Sequence, residues 1–110
     1  MEVELAWAAG FFDGEGCVCR RNQHNEHDKI NFEVAQVDVR PLERFLAAVK
    51  IGKIIHRPGG KKSGPHYMFV LYRQEHVYDV INKLWPFLSE PKKEQIIRNT
   101  NVLTFSSLAT

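Results

Sequence analysis

Nine consecutive residues, Ala8-Ala9-Gly10-Phe11-Phe12-Asp13-Gly14-Glu15-Gly16, constrain this chain more than any other stretch. Residues 2–13 contain no proline, and their Ala and Leu favour helix. At about 100° per residue, Ala6, Ala9, Gly10 and Asp13 share one side of that helix. Leu5, Ala8 and Phe12 share another, and Trp7 and Phe11 fill much of the rest. A helix apolar nearly all round is covered on more than one side. The large side chains are expected to face the chain's own core. The small ones, Ala6, Ala9 and Gly10 with Asp13 beside them, would let a second backbone come close, as small residues do at tight helix crossings. Gly14 and Gly16 permit positive φ and are expected to close the helix. Asp13 and Glu15 stand at that exit. A carboxylate there opposes the helix dipole, which points to a task such as holding a cation. Asp13 itself is expected to satisfy backbone groups at the helix end.

The 110 residues are expected to form one domain, 1–110, with its core at about 3–100. The apolar (44%) and charged (25%) fractions are those of an ordinary globular protein. No run of about 18 apolar residues exists and the N-terminal stretch is acidic, so neither a membrane span nor a signal peptide is expected. A net charge of +2 does not announce a nucleic-acid binder, but Arg20, Arg21, Lys53, Arg57, Lys61, Lys62, Lys92 and Lys93 fall in clusters at strands and turns. Two cysteines are too few for a disulfide framework and suit a reducing, intracellular compartment. Cys17 and Cys19 with His24 and His27 are not expected to make a zinc site, because zinc cysteines are usually separated by two or more residues.

After the first helix the chain reads as strand 16–23, a polar turn at His24–Asp28, and strand 29–36. In the second strand Ile30, Phe32 and Val34 alternate with Lys29, Asn31 and Glu33, so one side is buried and one polar. Val18 should face the core, placing Cys17, Cys19, Arg21 and Gln23 on the polar side and Arg20 inward, which a bulge or a strand end would have to accommodate. Asp38 is a reasonable N-cap for a helix over 39–50, with Leu42, Phe45, Leu46 and Val49 at helical spacing and Gly52 ending it. A strand at 53–57, a basic glycine-rich loop at 58–65 and a strand from His66 form a second hairpin. Residues 74–85 read as a third helix stopped by Pro86, and Ser89 as the cap of a last helix starting near Pro91. The order is α-β-β-α-β-β-α-α, an α+β layout with an antiparallel sheet covered on one face.

The nonapeptide resembles the LAGLIDADG motif, and the chain is similar to the LAGLIDADG homing endonucleases. Ala8 stands for the first Leu, Ala9-Gly10 for Ala-Gly, Phe11-Phe12 for Leu-Ile, Asp13 for the first Asp, Gly14 for Ala, Glu15 for the second Asp and Gly16 for the last Gly. Ala8 and Glu15 depart from the motif. The resemblance covers about residues 3–100. It implies a single αββαββα domain whose saddle-shaped antiparallel sheet sits in the DNA major groove, with helices on the other face. Gln36, closing Phe32-Glu-Val-Ala-Gln36, matches a position where the family carries a polar residue. Pro86-Phe-Leu followed by Lys92-Lys93-x-Gln95 resembles the segment with the family's active-site lysine, Lys92 and Lys93 both remaining candidates.

The resemblance implies metal-dependent phosphodiester hydrolysis with Mg²⁺ or Mn²⁺ held at Gly14 and Glu15. Mg²⁺ needs only one or two protein carboxylates beside water and phosphate. Gln36 would position the attacking water, and Lys92 or Lys93 would offset phosphate charge. Cys19, Arg21, Gln23, Lys29, Asn31, Glu33, Lys53, Arg57, His66 and Met68 are candidate groove contacts, and Lys61 and Lys62 suit a phosphate backbone. Single-motif family members act as homodimers, which implies a near-palindromic double-stranded site of about 20 bp. The rival readings are a non-cleaving DNA-binding regulator, an intron RNA maturase on the same fold, and half of a two-motif enzyme.

Overall fold

The structure, a computed structural model, describes residues 2–21 and 29–100, with Arg21 given by its backbone alone. The elements are α1 (Glu2–Glu15), β1 (Gly16–Arg21), β2 (Lys29–Gln36), α2 (Val39–Val49), β3 (Lys53–Arg57), β4 (His66–Val70), α3 (Gln74–Leu84), a 3-10 turn (Trp85–Phe87) and α4 (Glu90–Thr100). The order is the one the sequence predicts. The sheet is antiparallel throughout, in the order β1-β2-β4-β3, so the inner strand of each hairpin pairs with that of the other. Among the described residues no helix is long and apolar enough to cross a membrane.

The alternation of β2 decides which way the sheet faces. Ile30, Phe32 and Val34 are buried under the helices together with Val18 and Phe69, while Lys29, Asn31 and Glu33 look out on the other side. The helices supply Ala8, Ala9 and Phe12 from α1, Leu42, Phe45 and Val49 from α2, Val77, Val80, Ile81 and Leu84 from α3, and Ile96 from α4. Four phenylalanines form the centre. Phe12 stacks on Phe32 at 4.3 Å between centroids, and the Phe69 ring meets Phe45 edge-on at 4.9 Å. Each buried ring contributes about 1.5–3 kcal/mol, and aromatic pairing adds to that.

The caps follow the residue chemistry. Asp38 Oδ1 accepts from the Arg40 amide at 3.0 Å and starts α2. The helix ends one residue earlier than its apolar spacing suggests: Lys50 adopts φ 70° and its N–H donates to the Leu46 carbonyl at 2.7 Å. Gly52, at φ 124°, then turns the chain into β3, where a Cβ would stand 2.4 Å from the Phe69 ring. Pro86 ends α3 as its missing N–H requires. Ser89 caps α4, its Oγ accepting from the Lys92 amide at 3.3 Å; Pro91 falls in the first turn, where a missing N–H breaks no helical bond. The Gln74 side chain exchanges two hydrogen bonds with the Ile30 backbone, at 2.9 and 3.0 Å, beyond the part of β2 that β4 covers.

Three expectations are corrected. Neither Gly14 nor Gly16 takes positive φ; α1 stays helical through Glu15 and passes straight into β1. Gly16 is required for space instead, since a Cβ there would lie 2.0 Å from Phe12 Cδ1. Ala9 does not face outward: it is buried beside Ala8 and Phe12, because the outward stripe of α1 runs one position out of phase, through Val3, Ala6, Gly10 and Gly14. Arg20 lies on the helix side of the sheet without entering the core. It is exposed, and its Nε donates to the Asn99 carbonyl at 3.1 Å, in the last turn of α4 where carbonyls lack helical partners.

Gly16→Ala is expected to destabilise the protein by about 1–3 kcal/mol, read as a lower urea midpoint, because the Phe12 ring cannot move without leaving Phe32. Arg40 holds the Asp38 carboxyl at about 2, below its ordinary 3.8. Its contribution is therefore fully present above the ordinary value and lost as pH falls towards the lowered one. Asp38→Asn should flatten the fall in stability over that acid window in urea titrations.

Candidate active site and open sheet face

Glu15, Gln36 and Lys92 arrive from three elements at one corner of the molecule. Glu15 is the last residue of α1 and is exposed. Gln36 ends β2, and its Nε2 donates to Glu15 Oε1 at 2.9 Å. Lys92 is in the first turn of α4 and is 9% exposed. Its Nζ donates to the carbonyl of Gly16, the residue after Glu15, at 2.9 Å and to Gln95 Oε1 at 3.3 Å, and lies 5.2 Å from the centre of the Phe12 ring. A buried ammonium with two oxygen partners and an aromatic face is well satisfied. It also places positive charge at the C-terminus of α1, where the helix dipole favours it, and so offsets the unfavourable placing of Glu15. Lys93 points elsewhere, 3.6 Å from Glu90 and 5.5 Å from the Trp85 ring.

Asp13 joins the two helices that carry Glu15 and Lys92. Its carboxylate accepts from the Ser89 amide at 3.2 Å and from the Ser89 hydroxyl at 3.1 Å. It therefore sits at the N-terminus of α4, where an anion is stabilised. The sequence grouped Asp13 with the small outward face of α1; both of its oxygens are committed to Ser89 instead.

Hard oxygen donors are what this corner offers a cation. Among the described residues no group of three His, Cys, Asp or Glu side chains comes together. The exposed Glu15 carboxylate accepts from the neutral Gln36 amide, and Gly14 lies in the last turn of α1, whose carbonyls have no intrahelical partner. One carboxylate and backbone oxygens suit Mg²⁺, which keeps several waters and takes its remaining ligands from phosphate, better than a soft metal.

Along the outward stripe of α1, Ala6, Gly10 and Gly14 are exposed and Val3 is 72% exposed. A Cβ at Gly10 or Gly14 would meet nothing within 4 Å, so nothing within this chain demands glycine at either place.

The face of the sheet away from the helices brings together most of the expected contact residues. Reading across the strands, Cys17 stands opposite Glu33, Glu33 opposite Val70, and Val70 opposite Lys53. Cys19 is opposite Asn31, and His66 opposite Arg57. Ala35, Met68 and Ile55 form the remaining three-strand row. Arg21 pairs with Lys29 at the last described rung of β1; Gln23, His24 and His27 lie outside the described residues. Lys61 and Lys62 are exposed on the loop between β3 and β4, which the Gly60 amide closes onto the Ser63 carbonyl at 2.8 Å. That loop lies at the Gln36 end of the sheet, where a depression of about 330 Å³ is lined by Ala35, Gln36, Gly64 and His66 among others. The sequence reading missed Ala35 and Ile55 on this face, although Lys53-Ile-Ile-His-Arg57 alternates once its pairing is known, and it missed Ser89 and Gln95 as partners of Asp13 and Lys92. Partial burial, then the neighbouring Cys19 thiol, push the Cys17 thiol up, which keeps it protonated and a poor nucleophile.

Neither a protein-family model nor a curated protein sequence matches the chain. Solved structures do. The homing endonuclease I-CvuI, in complex with the I-CreI target in the presence of Mg, superposes with a TM-score of 0.69 at 19% identity, over 86% of this chain and 62% of that one. The group I intron-encoded homing endonuclease I-CeuI, complexed with DNA, gives 0.70 at 16% identity, over 92% of this chain and 54% of that one. The LAGLIDADG meganuclease I-AabMI, bound to uncleaved DNA, gives 0.70 at 19% identity, over 89% of this chain and 34% of that one. The chain thus spans less than two thirds of the length of each of these proteins.

Ser89→Ala removes both the cap of α4 and the partner of Asp13, and is expected to cost about 1 kcal/mol in chemical denaturation. Asp13→Ala should cost a similar amount. The double variant should fall short of the sum, since the two residues share one interaction.

Proposed function

We propose, for a chain that has the fold of the LAGLIDADG homing endonucleases, that it is a site-specific endonuclease cutting both strands of a long near-palindromic DNA site as a homodimer. The observation that carries this reading is the convergence of Glu15, Gln36 and Lys92 at the end of α1: Glu15 and Gln36 are the residues the motif resemblance implies, and Lys92 is one of the two lysines it leaves as candidates. The neighbours' printed complexes support it in kind: I-CvuI and I-CeuI are bound to DNA, and I-CvuI was crystallised with DNA in the presence of Mg or Ca.

Each residue has a separate task. Glu15 supplies the carboxylate that, with the Gly14 region, would hold Mg²⁺ or Mn²⁺. A divalent metal bound there lowers the pKa of water and neutralises charge on the scissile phosphate. Gln36 fixes the Glu15 carboxylate through one amide hydrogen and keeps a second hydrogen and a carbonyl to orient water. Lys92 provides a fixed ammonium for the developing phosphate charge. Lys93, the other candidate, pairs with Glu90 instead, which favours Lys92 for this task. The open sheet face, with Cys19, Lys29, Asn31, Glu33, Lys53, Arg57, His66 and Met68, fits the major groove, and Lys61 and Lys62 fit the backbone phosphates.

The homodimer reading rests on the exposed stripe of α1. Ala6, Gly10 and Gly14 would let two such helices meet about a twofold axis. That crossing would bring both Glu15 carboxylates close together, within reach of two scissile phosphates across a minor groove about 6 Å wide.

A randomised duplex library selected for cleavage should yield one near-palindrome, cut in Mg²⁺ and uncut in EDTA. Glu15→Gln should reduce cutting by at least about 10²-fold while duplex binding persists. Enrichment without cutting would assign a DNA-binding regulator, and enrichment of structured RNA alone would assign a maturase. Gly10→Leu should leave the chain folded, since a Cβ at this exposed position meets nothing within 4 Å, and convert dimers to monomers in sedimentation.

A further inference from the structure

An apolar row crosses the open sheet face between rows that carry its charges. Ala35 of β2 stands opposite Met68 of β4, and Met68 stands opposite Ile55 of β3. Val70, two residues along β4 on the same face, adds to its edge. Ala35 is exposed, and Met68 and Ile55 are only partly buried. The row lies between His66 with Arg57 on one side and Glu33 with Lys53 on the other. The charges of this face would meet phosphates and polar base edges, but an apolar row gains nothing from them. It gains only from apolar surface removed from water, at about 25 cal/mol per Å². The major groove displays one such group, the C5-methyl of thymine.

We propose that Ala35, Met68 and Ile55 read thymine methyl groups in the target site. The inference rests on the DNA reading above and deepens it by naming the bases. With strands about 4.8 Å apart, the row spans about 10 Å, or some three base-pair steps of about 3.4 Å. Its Ala35 end is the residue beside Gln36, which bonds Glu15. The thymines therefore fall in the part of each half-site next to the cleavage positions, not under the Lys29 end of β2. Met68, unbranched and polarisable, can follow a methyl whose position shifts with local DNA shape.

Deoxyuridine isolates this contact, because it keeps every hydrogen-bonding group of thymine and removes only the methyl. With the duplex selected above, thymines are replaced singly by deoxyuridine, and binding of the full chain is measured by competition without metal, so that no strand is cut. Replacement at one to three inner positions per half-site should weaken binding by about fourfold each, corresponding to ~0.8 kcal/mol per methyl. Met68→Ala should abolish the thymine preference at one of those positions, and Met68→Leu should retain it. Ile55→Ala should do the same at a neighbouring position and serves as the second variant if Met68→Ala does not fold. Equal binding of thymine and deoxyuridine duplexes at every inner position would overturn the inference while leaving the endonuclease reading intact. So would an unchanged preference in both alanine variants. Failure to select any duplex would remove both.

Discussion

The contact between the Phe12 ring, the Phe32 ring and the bare Cα of Gly16 fixes where α1 meets the sheet. Phe12 stacks on Phe32 at 4.3 Å, and no side chain larger than hydrogen fits at Gly16 beneath it. Because α1 passes into β1 without an intervening turn, that one packing arrangement also determines where the last helical residue ends up. Glu15 is therefore delivered by core packing. Lys92 depends on the same contact: its ammonium lies over Phe12 and donates to the Gly16 carbonyl. Moving the ring would displace the carboxylate and the lysine together.

The other end of Lys92 is held through the backbone. Asp13 binds Ser89, Ser89 caps α4, and the capped turn carries Lys92. The polar links and the aromatic contact thus act on the same pair of helices from two sides. Isolated exposed hydrogen bonds stabilise little, yet here they settle which way the first turn of α4 faces. That orientation sends Lys92 inward and Lys93 towards Glu90 and Trp85.

α1 divides its duties by face. Ala8, Ala9 and Phe12 belong to the core, Trp7 stacks on Phe11 and receives Arg44 of α2 at 4.0 Å, and Val3, Ala6, Gly10 and Gly14 face outward. A helix with apolar or small residues on every side has almost no amphipathic phase, so the sequence alone left the boundary between core and outward stripe one residue out. Only the packing of α1 against α2 and the sheet shows that Ala9 is inside.

The sequence by itself determined what local chemistry dictates. The alternation of Ile30, Phe32 and Val34 made a one-sided strand, Asp38 and Ser89 made caps, Pro86 made a stop, and the nonapeptide put an acid at a helix end. Each depends on neighbours within a few residues, where spacing is a sufficient guide. Tertiary structure decided what depends on distant segments. Gly16 proved to serve the Phe12 ring and not a turn, Arg20 found the end of α4, and Lys92, 76 positions along the chain from Gly16, reached its carbonyl while Lys93 turned to Glu90. The row Ala35–Met68–Ile55 belongs to the same class. It exists only because β2 pairs with β4, and the pairing of strands from different hairpins is set by the shared core beneath them, not by any residue in the row.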